Sequence, residues 1–195
     1  MNDHYYTQNP SSDHAFREIQ VHALGVQARF TTDSGVFSRD GLDRGTEVLL
    51  EALPPLKGRV LDLGCGWGAV GVLLALKYPQ LQVVMTEINS RAVELSKANL
   101  QKNGVQAQVL LGDGFESVEG VFDVILTNPP IRAGKQTIYS LFEQAGNFLS
   151  EDGALYIVIR KQQGAPSALK FLREHYREAE VIERSSGFWV ICSKK

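Results

Sequence analysis

Four short stretches hold residues fit for chemistry, and each follows a run of apolar residues. The first reads Val60-Leu61-Asp62-Leu63-Gly64-Cys65-Gly66-Trp67-Gly68. A buried strand that ends in a glycine-rich turn, with a helix starting near Trp67 to Ala69, aims backbone N–H groups and a helix N-terminus at one point. Glycines at 64, 66 and 68 leave that backbone bare, so something polar can approach it closely. The second stretch ends at Glu87, 19 positions after Gly68. That spacing suits a carboxylate accepting hydrogen bonds from both hydroxyls of a ribose. The third is Gly112-Asp113-Gly114, and the fourth is Asn128-Pro129-Pro130-Ile131. In the fourth, the Asn128 side-chain carbonyl and the Pro129 backbone carbonyl can each accept one N–H. The prolines fix φ and hold those acceptors rigid.

Positioning these groups on one rim requires strands that alternate with helices. The spacing predicts strand Arg59 to Leu63, then a helix through Val70, Leu73, Leu74 and Tyr78 that breaks at Pro79. Strand Leu81 to Glu87 follows, then a helix from Ser90, an N-cap residue type, to Asn103-Gly104. A short strand over Ala107 to Leu111 precedes Asp113, and strand Val121 to Thr127 precedes Asn128. Ile138, Leu141, Phe142, Ala145, Phe148 and Leu149 then mark one apolar helical face. Ser150 to Gly153 reads as a turn, Ala154 to Ile159 as a strand, and a helix starts near Pro166. Ala179 to Glu183 and Phe188 to Cys192, joined by Ser185-Ser186-Gly187, read as a closing hairpin. Alternating β and α predicts a mainly parallel sheet covered by helices on both faces, with ligands outside the carboxyl ends of the strands.

Upstream, residues 1–15 read as a tail. Alternation from Phe16 to Thr31, broken at Gly25, predicts a β-hairpin that covers the sheet. The segment from Thr31 begins polar and glycine-punctuated and ends helical at Val48, Leu49, Leu50 and Leu53, before Pro54-Pro55. Placed just before the first glycine-loop strand, it is expected to fold over a ligand. Phe37 would cover an apolar face, and Asp43 and Thr46 would reach polar ends.

Bulk properties narrow the classes. A chain of 195 residues with 44% hydrophobic residues suits one globular domain. No run of about 18 apolar residues occurs, so no membrane span is expected. Cys65 and Cys192 are far apart, and the four histidines show no ligand spacing, so no metal is expected. The cytoplasm is the natural compartment. With net charge −2 and pI near 6.1, the chain lacks the basic balance usual for a protein that binds nucleic acid over a wide face. An RNA substrate would need a local patch or a partner. The sequence sets no oligomeric state.

Gly64-x-Gly66-x-x-Ala69 also satisfies the dinucleotide pattern. Asp62 in the strand end, a third glycine at 68 and the later Asn128-Pro129-Pro130 point away from NAD. As a set these residues resemble class I S-adenosylmethionine-dependent methyltransferases, whose cofactor carries a cationic amine and a sulfonium rather than a pyrophosphate. Gly35-Val36-Phe37-Ser38-Arg39-Asp40-Gly41-Leu42-Asp43, with Gly45 after it, resembles more specifically the same region of bacterial small-subunit ribosomal RNA guanine-N2 methyltransferases. The resemblance runs from about Thr31 to the C-terminus and fits a short, single-domain branch.

This resemblance implies a Rossmann-like α/β methyltransferase domain over 16–195. Its parts would be the hairpin 16–31, a cofactor-covering loop and helix 32–55, and a core 56–195 with a C-terminal antiparallel hairpin. S-adenosyl-L-methionine would lie against Gly64, Gly66 and Gly68. Asp62 would face its amino group, Glu87 its ribose, and Asp113 its adenine amine, with Gly114, Phe115, Phe37 and Asn128 nearby. Asn128, Pro129 and Pro130 would be the catalytic motif, localising the lone pair of an exocyclic amine by accepting its N–H groups. Ile131 stands where the family usually has an aromatic that stacks on a flipped base. Arg132, Lys135, Arg160 and Lys161 would meet substrate phosphates. The expected partner is ribosomal RNA or the small ribosomal subunit. A glutamine amide in a protein and an adenine amine remain open as targets, as does a binding module without turnover.

Overall fold

The computed structural model describes residues 12–195; of the tail expected over 1–15, residues 1–11 lie outside that range. Strands β1 (Arg17–Ala23) and β2 (Val26–Thr32) form the expected antiparallel hairpin. Leu24 and Gly25 turn it with φ of 54° and 74°, the left-handed pair that matches the twist of two paired strands. Alternation puts Val21, Ala28 and Phe30 on the buried face.

Helix α1 (Arg44–Ala52) follows, capped by the Asp43 carboxylate, which accepts from the Thr46 N–H at 3.1 Å. The chain then runs through β3 (Arg59–Leu63), α2 (Ala69–Lys77), β4 (Gln82–Glu87), α3 (Ser90–Lys102), β5 (Gln108–Leu111), β6 (Phe122–Thr127), α4 (Lys135–Phe148), β7 (Leu149–Arg160) and α5 (Ala165–His175), ending in β8 (Glu178–Ser185) and β9 (Phe188–Lys194). The seven strands order as β5-β4-β3-β6-β7-β9-β8. Pairs β3–β4, β4–β5, β3–β6 and β6–β7 are parallel, while β9 runs antiparallel to both β7 and β8. Only β9 is therefore reversed: the chain crosses over α5 to the edge and turns back into the gap.

Two local expectations are corrected. Ser90 is not the cap of α3; Asn89 is, its side-chain oxygen accepting from the Arg91 and Ala92 N–H groups at 3.0 and 3.2 Å. The chain leaves β4 one residue earlier than the serine, and Ser90 becomes the first helical residue. Residues 150–153 are not a separate turn between α4 and a strand at 154. Strand β7 already begins at Leu149, pairs with Phe122, and shifts register before Ala154 pairs with Val124.

Helix α2 is apolar all round, and residues Ala69 through Ala75 are buried. Such a helix needs cover on its outer side as well as from the sheet. The hairpin supplies it: β2 packs on α2 and α3, and the Phe30 and Trp67 rings meet edge to face at 4.8 Å. Asn99 stitches the layers. Its Oδ1 accepts from the Thr31 N–H at 2.7 Å, and its Nδ2 donates to the Thr31 and Trp67 carbonyls at 3.0 and 2.8 Å. Asn99 is fully buried, so Asn99→Ala strands backbone groups of both the hairpin and the glycine turn. Each such group costs about 1–3 kcal/mol; the urea unfolding midpoint is expected to fall by an amount worth about 3 kcal/mol in total.

Candidate active site

Strand order reverses between β3 and β6, so the connections leaving their carboxyl ends diverge and open a cleft. The cleft is lined from one side by Asp62, Gly64, Gly66, Glu87 and Asp113, and from the other by Asn128, Pro129 and Pro130, with Phe37, Asp43 and Thr46 across the mouth. Its floor is held by Thr86, whose carbonyl accepts the Gly64 and Cys65 N–H groups, both at 2.9 Å.

The three glycines have different reasons to be glycine. Gly64 and Gly66 have φ of 77° and 57°, and a Cβ on either would meet nothing within 4 Å. Their bare backbone faces open cleft. Gly68, the N-cap of α2 at φ 88°, would place a Cβ 3.0–3.1 Å from Ser96 on α3. It serves helix packing and does not line the cleft.

Two acids are buried behind this loop. Glu87 Oε2 accepts from the Gly66 N–H at 2.8 Å, and Oε1 from the Asn89 N–H at 3.0 Å. Burial raises its pKa, opposed in part by hydrogen bonds from the Asn89, Gly66 and Ile88 backbone. Asp62 Oδ2 accepts from the Gly71 N–H in the first turn of α2 at 3.2 Å. Burial pushes Asp62 up to about 7; the Gly71 N–H pulls it back, and the Glu87 charge adds to the rise. Thr86 Oγ1, also at the cleft, is buried with no hydrogen-bond partner among the described residues. Asp113 is exposed at the far end, beside Gly114.

Opposite stands Asn128. Its Nδ2 donates to Asp43 Oδ2 at 2.9 Å and to Thr46 Oγ1 at 3.1 Å. A carboxylate only accepts, so the amide nitrogen must face Asp43, and the amide oxygen is left for the cleft. The loop that carries Asp43 is anchored at points that no local pattern marks. Trp67 Nε1 donates to the Phe37 carbonyl at 3.0 Å, and Asn89 Nδ2 to the Gly35 carbonyl at 2.9 Å. Asp43 and Thr46 were visible as polar residues in a ligand-covering loop, but their hold on Asn128 was not. Nothing in the spacing links Asp43 to a residue 85 positions on.

Several expected residues lie elsewhere. Phe115 is buried and stacks on Phe148 at 4.6 Å, in the core below α4. Ile131 is partly buried and packs against that same core. Arg132, Lys135, Arg160 and Lys161 are exposed outside the cleft, with Lys135 over the Tyr139 ring and Arg160 over the Phe188 ring. Among the described residues no group of three His, Cys, Asp or Glu is placed to hold a metal ion.

Residues 27–192 match the model of the methyltransferase small domain. The chain is 38% identical over 200 residues to uncharacterized protein YbxB of Bacillus subtilis, covering both chains fully. It is 36% identical to ribosomal RNA small subunit methyltransferase C of Aeromonas hydrophila, over 93% of this chain and 54% of that one. The structure superposes on the T. thermophilus 16S rRNA N2 methyltransferase RsmC, solved with AdoMet and guanosine, with a TM-score of 0.85 and 27% identity over 95% of this chain and 52% of that chain. The chain thus spans about half the length of these ribosomal RNA methyltransferases.

The raised Asp62 pKa sets the direction of a pH dependence. Below about 7 the carboxyl is mainly neutral; an ammonium group bound beside it favours the ionised form and expels the proton. Calorimetric affinity for S-adenosylmethionine is expected to rise between pH 5.5 and 7, by up to about tenfold per unit, and to level off above. Asp62→Asn is expected to bind more weakly at pH 8 and to flatten the profile.

Proposed function

The chain belongs to the methyltransferase small domain family, and from that premise we propose that it methylates the exocyclic N2 amine of a guanine in small-subunit ribosomal RNA. It is an S-adenosylmethionine-dependent methyltransferase; the guanine amine and the ribosomal target are the finer part of the reading. Relatives named for small-subunit ribosomal RNA, and the neighbour solved with guanosine, support that finer part.

The residues present fit the cofactor. Gly64 and Gly66 offer a cradle that a Cβ would fill, Asp62 offers a carboxylate for an ammonium, and Glu87 one for ribose hydroxyls. When bound, S-adenosylmethionine supplies an electrophilic methyl group on a sulfonium.

The observation that carries the reading is the orientation of Asn128. An exocyclic amine on an aromatic ring is a poor nucleophile because its lone pair is delocalised into the ring. Asn128 Oδ1, held toward the cleft by Asp43 and Thr46, and the Pro129 carbonyl each accept one of its N–H bonds. Two fixed acceptors turn the lone pair out of conjugation and aim it. The nitrogen becomes acidic once alkylated and gives its proton to water, so no strong base is needed. An alcohol or thiol acceptor would leave one of the two carbonyls without a donor.

Transfer of labelled methyl groups to ribosomal RNA and small subunits from cells lacking the gene tests this. Label is expected in N2-methylguanosine after nuclease digestion. Recovery only in methyladenosine or in protein would overturn the guanine target. Asn128→Ala is expected to lower kcat by about 10²–10³, the size of losing one preorganised polar group at a reacting centre.

The Asp43 constraint is tested separately. Asp43→Asn keeps an equivalent helix cap but presents a group that can donate as well as accept. With Asn128 free to flip, kcat is expected to fall about tenfold, a loss of about 1.4 kcal/mol. Affinity for S-adenosylmethionine is expected to stay within about twofold on the same scale.

A further inference from the structure

We infer that the rim formed by the end of β7 and the β8–β9 turn docks the phosphodiester backbone of the RNA beside the target nucleotide, through Arg160, Lys161 and Arg184. The inference rests on the RNA reading above and names the surface that reading lacks.

Charge along the carboxyl rim of the sheet is divided. Asp113, Glu87 and Asp62 follow or end β5, β4 and β3, on one side of the switch point. Arg160 ends β7, Lys161 follows it, and Arg184 is the penultimate residue of β8. β8 runs parallel to β7, so these ends lie on the same rim as Asn128, beyond it. One half of the rim therefore suits a cation and the other a polyanion.

The two arginines are preorganised. Arg160 pairs with Phe188 across β7 and β9, its Cζ 4.6 Å over the ring. Arg184 pairs with Trp189, its Cζ 4.9 Å over that ring. Phe188 and Trp189 alternate in β9, so the two guanidinium groups straddle the hairpin from opposite faces. The ring contact restrains each guanidinium and leaves N–H groups for bidentate contact with phosphate. All three cations are exposed, and none is in an ion pair among the described residues. Of the nearby acids, Glu47 is salt-bridged to Arg44 at 2.8 Å, while Glu183, which accepts from the Arg184 backbone N–H, keeps its charge as one negative against the three cations. Arg44 is also tied to the turn through Ser186 Oγ at 3.1 Å.

The patch is mechanically joined to the reacting centre. An ideal Cβ on Gly45 would lie 2.8 Å from the Phe188 ring and 2.9 Å from Asp43 Oδ2, and Asp43 holds Asn128. The ring that backs Arg160 is thus one residue from the group that orients the acceptor. A strand of RNA laid over the hairpin would run directly to the cleft mouth.

Binding of a fluorescent small-subunit ribosomal RNA fragment, measured by anisotropy against salt, tests the inference. The triple variant R160Q/K161Q/R184Q is compared with wild type and with Lys57→Gln, a charge removed at the amino end of the sheet. Unchanged S-adenosylmethionine affinity verifies that the variant is folded. The slope of log K against log salt is expected to shrink by about 0.7 for each single-strand phosphate that the variant no longer neutralises, roughly 2 in all. The KM for RNA in the transfer assay is expected to rise about tenfold or more near 0.15 M salt, while Lys57→Gln tracks wild type. A wild-type slope in the triple variant would overturn the docking surface and leave the methyltransferase reading standing. No salt-dependent binding and no transfer to any RNA by the wild type would overturn the RNA reading itself.

Discussion

A carboxylate can accept hydrogen bonds and cannot donate them. Set 2.9 Å from the amide nitrogen of Asn128, Asp43 therefore decides which end of that side chain faces the cleft. The same carboxylate caps α1, so the helix cannot shift without releasing the asparagine. Gly45, two residues on, has no room for a side chain because the Phe188 ring and Asp43 occupy the space. The end of β6, the start of α1 and the start of β9 are locked together through these neighbours. This rigidity is what the proposed positional catalysis would require, because an acceptor that wanders by an ångström no longer fixes a lone pair.

The opposite wall follows a different rule. Asp62 and Glu87 are taken out of water and only partly compensated, by backbone N–H groups of the glycine turn and helix starts. Both pKa values are raised by that burial. A ligand bearing an ammonium and hydroxyls would supply the missing partners, and in the reading proposed above the discomfort of the ligand-free pocket becomes affinity. The two walls thus divide the work: one is electrostatically incomplete and completed by a ligand, the other is held rigid by its own hydrogen bonds.

Much of this was legible in the chain, and what was not shares a cause. The β–α alternation, the glycine turn, and the acids and Asn128-Pro129-Pro130 at strand ends are local patterns, because they are set by period and by what a turn tolerates. Asn89 and Ser90 are both cap types, and only the exit path of β4 decides between them. Gly68 looked like part of the cradle, yet its reason is Ser96, 28 positions on. Phe115 adjoins a functional turn in sequence, but its ring gains more by stacking on Phe148 in the core. Ile131, in the place of a stacking aromatic, is likewise drawn into the core behind α4. Asn99 gave no sign at all, since a polar residue on a helix face reads as solvated until the partner layer is known. Helix α2 did carry a sign in its composition: it is too apolar on every side to be covered by a sheet alone, which requires the upstream hairpin to lie over it.

The acidic net charge, which argued against an RNA substrate, weighs less once the charges are placed. A count of −2 treats Asp62 as fully ionised, although burial pushes it up to about 7. Glu18, Glu94 and Glu178 are held in pairs with Lys102, Lys97 and Lys194. Asp33 is buried, with Arg91 3.6 Å away. Salt screens exposed charges beyond about 8 Å, so a polyanion brought to the β8–β9 turn would respond to Arg160, Lys161 and Arg184 and hardly to acids on the far half of the rim. Net charge averages over surface that a polyanion at one edge would not sample. For the docking proposed above, the local sign is what counts, and at the carboxyl ends of β7 and β8 Arg160, Lys161 and Arg184 outnumber Glu183.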